Sequence, residues 1–286
     1  MIAGVAVIVV AGIAFVTLRR QPASPAQQPV ANATKMSDPL RLDLVTDCDR
    51  LAALPGDPDV PQGVTGVLMA AQIDIVPALT ACDAALRQYP DVVRFTFQVG
   101  RIAYAQKDYG QTRELFEKAA AAGSKGAMNG LGNLYQRGNG VLQDYTQALN
   151  WYQKAAAAGV TSSFANVGIF YFNGWSVPKD YVEARQWYEK AAAAGQANAA
   201  AMNNLGLLYE NGNGVAQDYA AARTWYEKAA AAGSAVAMNN LGSIYYNGNG
   251  VPKDYDRART WYVKAAAAGY ASASPMIQRI DASTGK

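Results

Sequence analysis

An internal repeat constrains this sequence more than any other feature. The block Lys-Ala-Ala-Ala-Ala-Gly occurs five times, with steps of 36, 36, 38 and 36 residues, beginning at Lys118, Lys154, Lys190, Lys228 and Lys264. The one long step follows from two extra residues between Gly195 and Leu205. Self-similarity at this period is typical of arrays of small structural units, and it therefore predicts the fold class before any other signal.

The pattern within each repeat predicts two helices, and the array as a whole therefore predicts an all-α fold. In the first helix, helix A, Leu205, Gly206 and Tyr209 share one face. Glycine inside a helix costs about 0.5–1 kcal/mol relative to alanine, so Gly206 indicates close approach of the partner helix. Asp218 is the expected N-cap of the second helix, helix B, which contains the alanine run. Such a pair cannot bury its apolar face alone, so repeats must stack.

These motifs resemble the Sel-one-like repeat, a relative of the tetratricopeptide repeat. The string Asn-Leu-Gly-x-x-Tyr from Asn204 is followed by Gly-x-Gly-Val-x-x-Asp-Tyr and Ala-x-x-Trp-Tyr-x-Lys-Ala-Ala-x-x-Gly. Four copies span residues 124–269, although the second has Gly174-Trp-Ser in its loop and lacks the second loop glycine. The resemblance implies a right-handed superhelix of antiparallel helix pairs that serves as a protein–protein adaptor.

The N-terminal 38 residues predict a membrane or secretory segment followed by a linker. Ile2–Leu18 carries no charge and is just long enough to span a membrane, so residues 1–20 form an uncleaved anchor, a cleaved signal or an internal span of a longer protein. Arg19 and Arg20 favour a cytoplasmic C-terminal side, whereas the resemblance and the cysteines favour an inner-membrane anchor with the repeats in the periplasm. A secreted or cytoplasm-facing protein remains an alternative. Residues 21–38, rich in Pro, Ala and Gln, form the linker.

Between the linker and the repeats, residues 39–90 predict a helical cap, with helices over Leu40–Leu54 and from about Ile75 to Gln88. Residues 91–123 form a further helix pair without the Gly-x-Gly-Val loop, which makes this pair similar to a tetratricopeptide repeat. After the array, residues 270–286 predict a short capping helix beginning near Pro275, and a tail from Ser283.

Cys48 and Cys82 are the two cysteines of the chain, far apart and outside any Cys-x-x-Cys motif. They predict one structural disulfide that clamps the cap. The alternative is a pair of buried, reduced thiols in a cytosolic protein.

Composition argues against several classes of function. The chain has no histidine, which removes the commonest general base and the commonest transition-metal ligand. A net charge of +3 with 16% charged residues gives no basic stripe for nucleic acid. The repeated aspartates are accounted for as helix caps, so paired catalytic carboxylates are not expected. We therefore predict no enzyme, no cofactor and no metal.

Helix A lines the concave groove in the family that the sequence resembles. The positions two before, two after and five after the packed leucine or valine should face that groove, and we call them the groove positions. They are Phe97, Arg101 and Tyr104; Asn129, Asn133 and Gln136; Ala165, Ile169 and Phe172; Asn203, Leu207 and Glu210; Asn239, Ser243 and Tyr246.

Amides and aromatic rings at the groove positions could hold an extended peptide by its backbone. Alternatively, the face is simply solvated, or its asparagines bond the adjacent helix. Trp175 lies outside the tryptophan position of the repeat and is either a loop anchor for a partner or a filler on its own repeat.

Three functions follow from this sequence. The first is a membrane-anchored adaptor that binds a protein or peptide, and the second is a binder of a small ligand or cell-wall fragment. The third, a hydrolase, is disfavoured by the composition. A regulatory module of a longer membrane protein would use the same groove.

Overall fold

A computed structural model describes residues 44–54, 57–67, 70–194 and 198–284. This part of the chain consists of thirteen α-helices and two 3-10 turns, without a strand. The predicted anchor, Ile2–Leu18, and the linker lie outside the described residues. Within those residues, no helix combines the length and apolar character that crossing a bilayer requires.

The helices follow one another as a chain of neighbouring pairs. In order they are α1 (Asp47–Ala52), α2 (Ile75–Gln88), α3 (Val93–Ala105), α4 (Tyr109–Ala121), α5 (Lys125–Arg137), α6 (Tyr145–Ala157), α7 (Thr161–Asn173), α8 (Tyr181–Ala193), α9 (Ala199–Asn211), α10 (Tyr219–Ala231), α11 (Ala235–Asn247), α12 (Tyr255–Ala267) and α13 (Ser274–Thr284). Helices A are α3, α5, α7, α9 and α11, and we call them row A; each packs mainly on the helix B that follows it. The all-α solenoid is confirmed.

Local sequence signals explain why the helices of the array begin and end where they do. The Asp218 carboxylate accepts hydrogen bonds from the backbone N–H groups of Ala220 and Ala221, both at 2.9 Å, and Asp144, Asp180 and Asp254 cap their helices in the same way. Gly212 ends α9 in the left-handed conformation, φ +68°.

A tyrosine of helix B packs directly on the glycine of helix A in every Sel-one-like repeat. A Cβ added to Gly132, Gly168 or Gly242 would come within 2.6–2.7 Å of the ring that covers it, and one on Gly206 would come closer still to Tyr226. The four tyrosines, Tyr152, Tyr188, Tyr226 and Tyr262, are completely or almost completely buried. The predicted reason for the helical glycine is therefore confirmed. The neighbouring tryptophans are only half-buried, and each lies under a lysine Nζ at 4.2–4.3 Å.

The N-terminal cap, which we define as the described residues 44–88, is irregular by comparison. The predicted helix over Leu40–Leu54 is shorter than expected, because Thr46 forms a capping box with Asp49 and starts α1 at Asp47. The predicted disulfide joins Cys48 to Cys82, with a Cα–Cα distance of 4.5 Å. It connects α1 to α2 in a cluster that also holds Phe95 and Ile102 of α3.

The C-terminal end is closed by α13. Its Ile280 is fully buried against Tyr262 and Ala265 of α12, and Asp281 forms a two-point ion pair with Arg259. The predicted capping helix is thus present, but it continues through Ser283 and Thr284, which were expected to belong to the tail. The side chain of Ser283 donates to the Ile280 carbonyl and stays within that last turn.

Candidate functional site

Most of the side chains at the groove positions are half-buried on row A, so that part of each side chain is accessible to solvent and the rest packs on the protein. The side chains of α5, α9 and α11 that point back into the molecule meet the tyrosine hydroxyls of helix B. Tyr152 Oη donates to Asn133 Oδ1 at 3.0 Å and approaches Gln136 Oε1 at 2.6 Å. Tyr226 Oη donates to Glu210 Oε2, and Tyr262 Oη lies 3.1 Å from Ser243 Oγ. These polar groove side chains are therefore held in place from behind.

Burial of the tyrosines has an electrostatic consequence. It raises the pKa of Tyr152, Tyr188, Tyr226 and Tyr262, and the neighbouring Glu210 carboxylate raises that of Tyr226 further. All four hydroxyls consequently stay protonated, and those of Tyr152 and Tyr226 donate hydrogen bonds to groove side chains.

Asparagines link successive helices of row A. Asn129 Oδ1 accepts from Ser163 Oγ at 2.9 Å and from Asn166 Nδ2 at 3.1 Å. Asn203, only 6% exposed, accepts from Asn240 Nδ2 at 3.0 Å. Both contacts therefore agree with the alternative interpretation of the sequence, in which asparagines of the groove positions form hydrogen bonds to the adjacent helix. Asn129 and Asn203 therefore link successive repeats as well as occupying groove positions. The equivalent Asn239, on the last repeat, is half-buried, as is Asn129.

The second Sel-one-like repeat differs from the others at every groove position. Ala165 replaces the bridging asparagine, and Ile169 and Phe172 replace the polar side chains that receive a tyrosine hydroxyl elsewhere. Tyr188 Oη is consequently buried without a well-formed hydrogen bond, with the Asn204 amide as the polar group beside it. Ile169 and Phe172, half-buried, pack on the same cluster as Tyr188, and Phe172 contacts the Tyr181 ring at 5.3 Å. This repeat makes one stretch of row A apolar, and Leu207 of the next repeat continues it.

Trp175 lies on the preceding helix pair. Its ring stacks on Tyr145 at 5.0 Å and 12°, and meets Phe170 edge-on at 5.5 Å. Ser176, at the position of the missing loop glycine, takes φ +58°. The filler alternative describes the contact with Phe170, which belongs to the same repeat, but the stacking on Tyr145 joins Trp175 to the preceding pair, which was not expected.

The first helix of row A is covered by the chain itself. Arg101, predicted to line the open groove, is 5% exposed. Its guanidinium donates to the backbone carbonyls of Ala52 and Val67, and burial lowers its pKa to about 10. Phe97 is likewise buried. The expected open placement of Arg101 is wrong, since the cap lies on it. Tyr104, one turn on, is half-buried and accepts from Asn139 Nδ2 at 3.1 Å.

Sequence reasoning missed the polar stripe that holds the cap on α3. Arg94 Nε donates to Asp49 Oδ1 at 2.9 Å, and Gln98 Nε2 donates to the same oxygen at 2.9 Å. Although burial opposes it, these hydrogen bonds leave the pKa of Asp49 below its usual value. Arg94, Gln98 and Arg101 recur at i, i+4 and i+7 on an otherwise apolar helix. That spacing is the signal that could have indicated a buried polar face.

Two further cap carboxylates reach the start of α5. Asp59 Oδ2 accepts from the Lys125 backbone N–H at 2.6 Å, and the Lys125 ammonium lies 3.7 Å from Asp59 Oδ1. Asp57 is buried against Gly126, and it accepts from the Asp59 backbone N–H at 3.0 Å. Burial raises the pKa of Asp57 to about 7. The cap therefore docks on α3 and on the first turn of α5.

The apolar and amide-rich face of α5, α7, α9 and α11 is the candidate site, since the cap covers α3. Within the described residues, no group of three or more His, Cys, Asp or Glu side chains is placed to hold a metal ion. The arrangement can bind by shape, apolar contact and hydrogen bonding.

Comparison with solved structures gives related molecules. A protective antigen of uropathogenic Escherichia coli with an SLR fold, c5321, is 32% identical over 72% of this chain, with a TM-score of 0.62; the match spans only 44% of that protein. A Sel1 repeat protein from Oxalobacter formigenes is 35% identical over 70% of this chain and 81% of its own, with a TM-score of 0.59. A chain of the APC/C hetero-tetramer Cut9–Hcn1 shares the fold alone: 16% identity, TM-score 0.54, 74% of this chain and 40% of that one. No curated protein matches the sequence.

The sequence profile of the Sel1 repeat matches residues 98–124, 126–160, 165–196, 199–234 and 235–270, together more than half of the chain. The first of these segments falls within the pair predicted to be similar to a tetratricopeptide repeat, so the family counts five repeats. The chain belongs to the Sel1 repeat family.

Proposed function

We propose that this protein is a non-catalytic adaptor that binds an extended segment of a partner protein across α5, α7, α9 and α11. Sel1 repeat solenoids are typical of protein-interaction scaffolds. The single observation that carries the proposal is the cap on α3. There, the side chain of a groove residue already binds backbone carbonyls, with Arg101 donating to Ala52 and Val67. The residue after Ala52 is extended, at φ −67° and ψ 149°.

The uncovered part of row A offers similar means of recognition. Gln136, Leu207 and Ser243 are half-buried and face the same side by register. Amide and hydroxyl groups can bond a peptide backbone, and apolar side chains can hold its side groups. The side chains at these positions carry neither a thiol nor an imidazole, which supports binding without chemistry.

We further propose that Ile2–Leu18 anchors the protein in the inner membrane and that the repeats lie in the periplasm. The uncharged run supports the anchor, and the Cys48–Cys82 disulfide supports an oxidising compartment. Thiol labelling of denatured, unreduced protein taken from the cell should find neither cysteine reactive. Two reactive thiols would instead support the cytosol.

Site-specific photocrosslinking tests the binding proposal. A photoreactive residue at Leu207 in the full chain should capture a partner, and one at Thr224, exposed on helix B, should not. Mass spectrometry of the Leu207 adduct identifies the partner and its contacting segment. Equal capture at both positions, or capture at Thr224 alone, would contradict the proposed face.

A further inference from the structure

We infer that the segment bound by this protein carries an apolar side chain and, about three residues away, a basic side chain. The inference rests on the proposed function and deepens it by naming the chemistry of the partner. It follows from two neighbouring features of row A: the apolar repeat at Ile169 and Phe172, and the carboxylate of Glu210 one repeat further on.

The apolar half of the site is specific to one repeat. In the repeats on both sides, a polar groove side chain receives the tyrosine hydroxyl, as in the contacts of Asn133 and Glu210. In the second repeat, neither of the equivalent groove positions carries a polar side chain that could receive the tyrosine hydroxyl. Ile169 and Phe172 stand there instead, and the Tyr188 hydroxyl beneath them is buried without a well-formed hydrogen bond. A buried hydroxyl contributes less to stability when its hydrogen bond is poorly formed, and here the Asn204 amide is the polar group beside it.

The exchange of polar for apolar side chains leaves apolar surface on row A at this repeat. Ile169, Phe172 and Leu207 are all half-buried, so each presents part of its surface to a ligand. Ile169 and Phe172 pack on the cluster that includes Leu205 of α9, and Leu207 occupies a groove position of that next helix. An aliphatic or aromatic side chain of a partner fits there, because contact with it removes apolar surface from water.

The basic half follows from charge. Among the groove positions of α5, α7, α9 and α11, Glu210 is the one ionisable carboxylate, and no lysine or arginine stands at any other of them. Among the ion pairs of the described residues, none includes Glu210. Its Oε2 accepts from Tyr226 Oη of α10, which fixes the position of the carboxylate, and this hydrogen bond does not use Oε1.

Because the other groove positions of α5, α7, α9 and α11 carry no charged side chain, a basic side chain of the ligand complements this face at Glu210. One repeat further on, Arg279 of α13 lies 5.9 Å from the Tyr246 ring. The charge along row A therefore changes sign beyond Glu210, which confines the basic residue of the ligand to this one repeat.

The spacing follows from helix geometry. Ile169 and Phe172 of α7 pack on the cluster that holds Leu205 and Leu208 of α9, so the two helices are neighbours. Neighbouring helices lie about 8–10 Å apart, and an extended chain advances about 3.3 Å per residue. An extended peptide that crosses from α7 to α9 therefore carries its basic side chain, at Glu210, about three positions from its apolar side chain, at Phe172.

Synthetic peptides test this inference on the full chain. The probes are fluorescein-labelled nonapeptides of serine and alanine. Each carries one Leu and, three positions away, either Lys or Glu, and each pair is made in both orders along the chain. A control peptide has Ser in place of Leu and keeps Lys. The Leu/Lys peptide in one of the two orders should bind about tenfold more tightly than its Leu/Glu counterpart, as measured by fluorescence anisotropy. The Ser/Lys peptide should bind more weakly than the Leu/Lys peptide.

Substitutions then locate the two contacts. Glu210→Gln should abolish the preference for Lys over Glu, whereas the matched control Glu227→Gln, exposed on helix B, should leave it unchanged. Phe172→Ser should weaken both Leu peptides by similar factors and keep the preference for Lys.

Circular dichroism checks that the variants remain folded. No preference for Lys in the unsubstituted protein, or a preference that survives Glu210→Gln, overturns the inference. Crosslinking at Leu207 to a partner whose contacting segment has other chemistry would do the same, and would leave the proposed function standing.

Discussion

The N-terminal cap and the Sel1 array keep their helices together by different interactions. In the cap, buried ionisable side chains make the contacts with the neighbouring helices. Asp49 and Arg94 are both fully buried and paired, and Asp57 and Asp59 contact the first turn of α5. In the array, neutral contacts repeat, with a tyrosine ring on a glycine and an asparagine bond between neighbours. The cap also has a disulfide, whereas the described repeats contain no cysteine.

The difference shows how a solenoid is closed at one end. A repeat inside an array has the same neighbour on both sides, so one set of short-range contacts serves every junction. The outermost repeat has no such neighbour, and α3 is therefore covered by an irregular segment. A buried ion pair is not in itself strongly stabilising, but losing one partner is costly. We infer that these charges select a single docking of the cap.

The largest expected effect comes from the buried ion pair of the cap. Arg94→Met should destabilise the cap by about 3–5 kcal/mol, because Asp49 is left buried without its guanidinium partner. Hydrogen exchange should show faster exchange in α1–α3 and unchanged exchange in α11 and α12. The control is Arg50→Met, whose exposed pair with Asp47 should contribute less than about 1 kcal/mol. Equal loss in both variants would show that the charges do not distinguish the cap.

The pH dependence of the cap should be the next largest effect. Asp57 has a folded-state pKa of about 7 against an ordinary value of 3.8, so the folded cap retains a proton that the unfolded chain has lost. Its stability should fall as the pH rises from about 4 through 7, by on the order of 4 kcal/mol in all. The charged groups that act on Asp57 are Asp59, Arg101 and Lys125.

Asp57→Asn should flatten this profile, as measured by hydrogen exchange of α3 and of the start of α5 between pH 5 and 8. Asp47→Asn, at an exposed site of α1, is the matched control. A wild-type cap equally stable at pH 5 and pH 8 would contradict the buried, protonated carboxyl.

In the array, a single methyl group should be enough to disturb one junction. Gly206→Ala should lose about 1–3 kcal/mol, because the added Cβ overlaps the Tyr226 ring and overpacking has this cost. Gly110→Ala is the control: the nearest atom to its Cβ would be 3.6 Å away, so the better helix propensity of alanine should stabilise α4 by up to about 1 kcal/mol. Chemical denaturation distinguishes the two, and stabilisation by both would rule out the close approach at Gly206.

The smallest effect concerns a backbone conformation in two loops of the array, one in the repeat that the cap covers and one further along. Lys107, between α3 and α4, and Ser176, between α7 and α8, both take a left-handed φ, 63° and 58°. Replacing either by glycine should stabilise the protein by about 1 kcal/mol, because a Cβ is unfavourable there. Similar increases in melting temperature would show that local strain costs the same in the covered repeat and in the uncovered one. No gain at Ser176 would indicate that its side chain compensates for the strain.

The array could be predicted in detail because its contacts are local. The Asp218 cap and the glycine at 206 act within one helix pair, and each recurs at the repeat spacing. The roles of Arg101 and Trp175 could not be read in the same way. Arg101 bonds residues 34 and 49 positions away, and Trp175 stacks on Tyr145 of the preceding pair. Neither contact has a periodic signature.

The sequence by itself determined the helix pairs, their caps and the close approach at the helical glycine, since each depends on residue type at a fixed spacing. Only the tertiary structure decided that a tyrosine ring covers that glycine and that the cap closes row A over α3. It also decided that the Tyr188 hydroxyl lies beneath Ile169 and Phe172 without a well-formed hydrogen bond. The physical reason is that burial selects partners in space. A side chain such as Arg101 can bind a ligand or its own chain with the same chemistry, and only packing determines which.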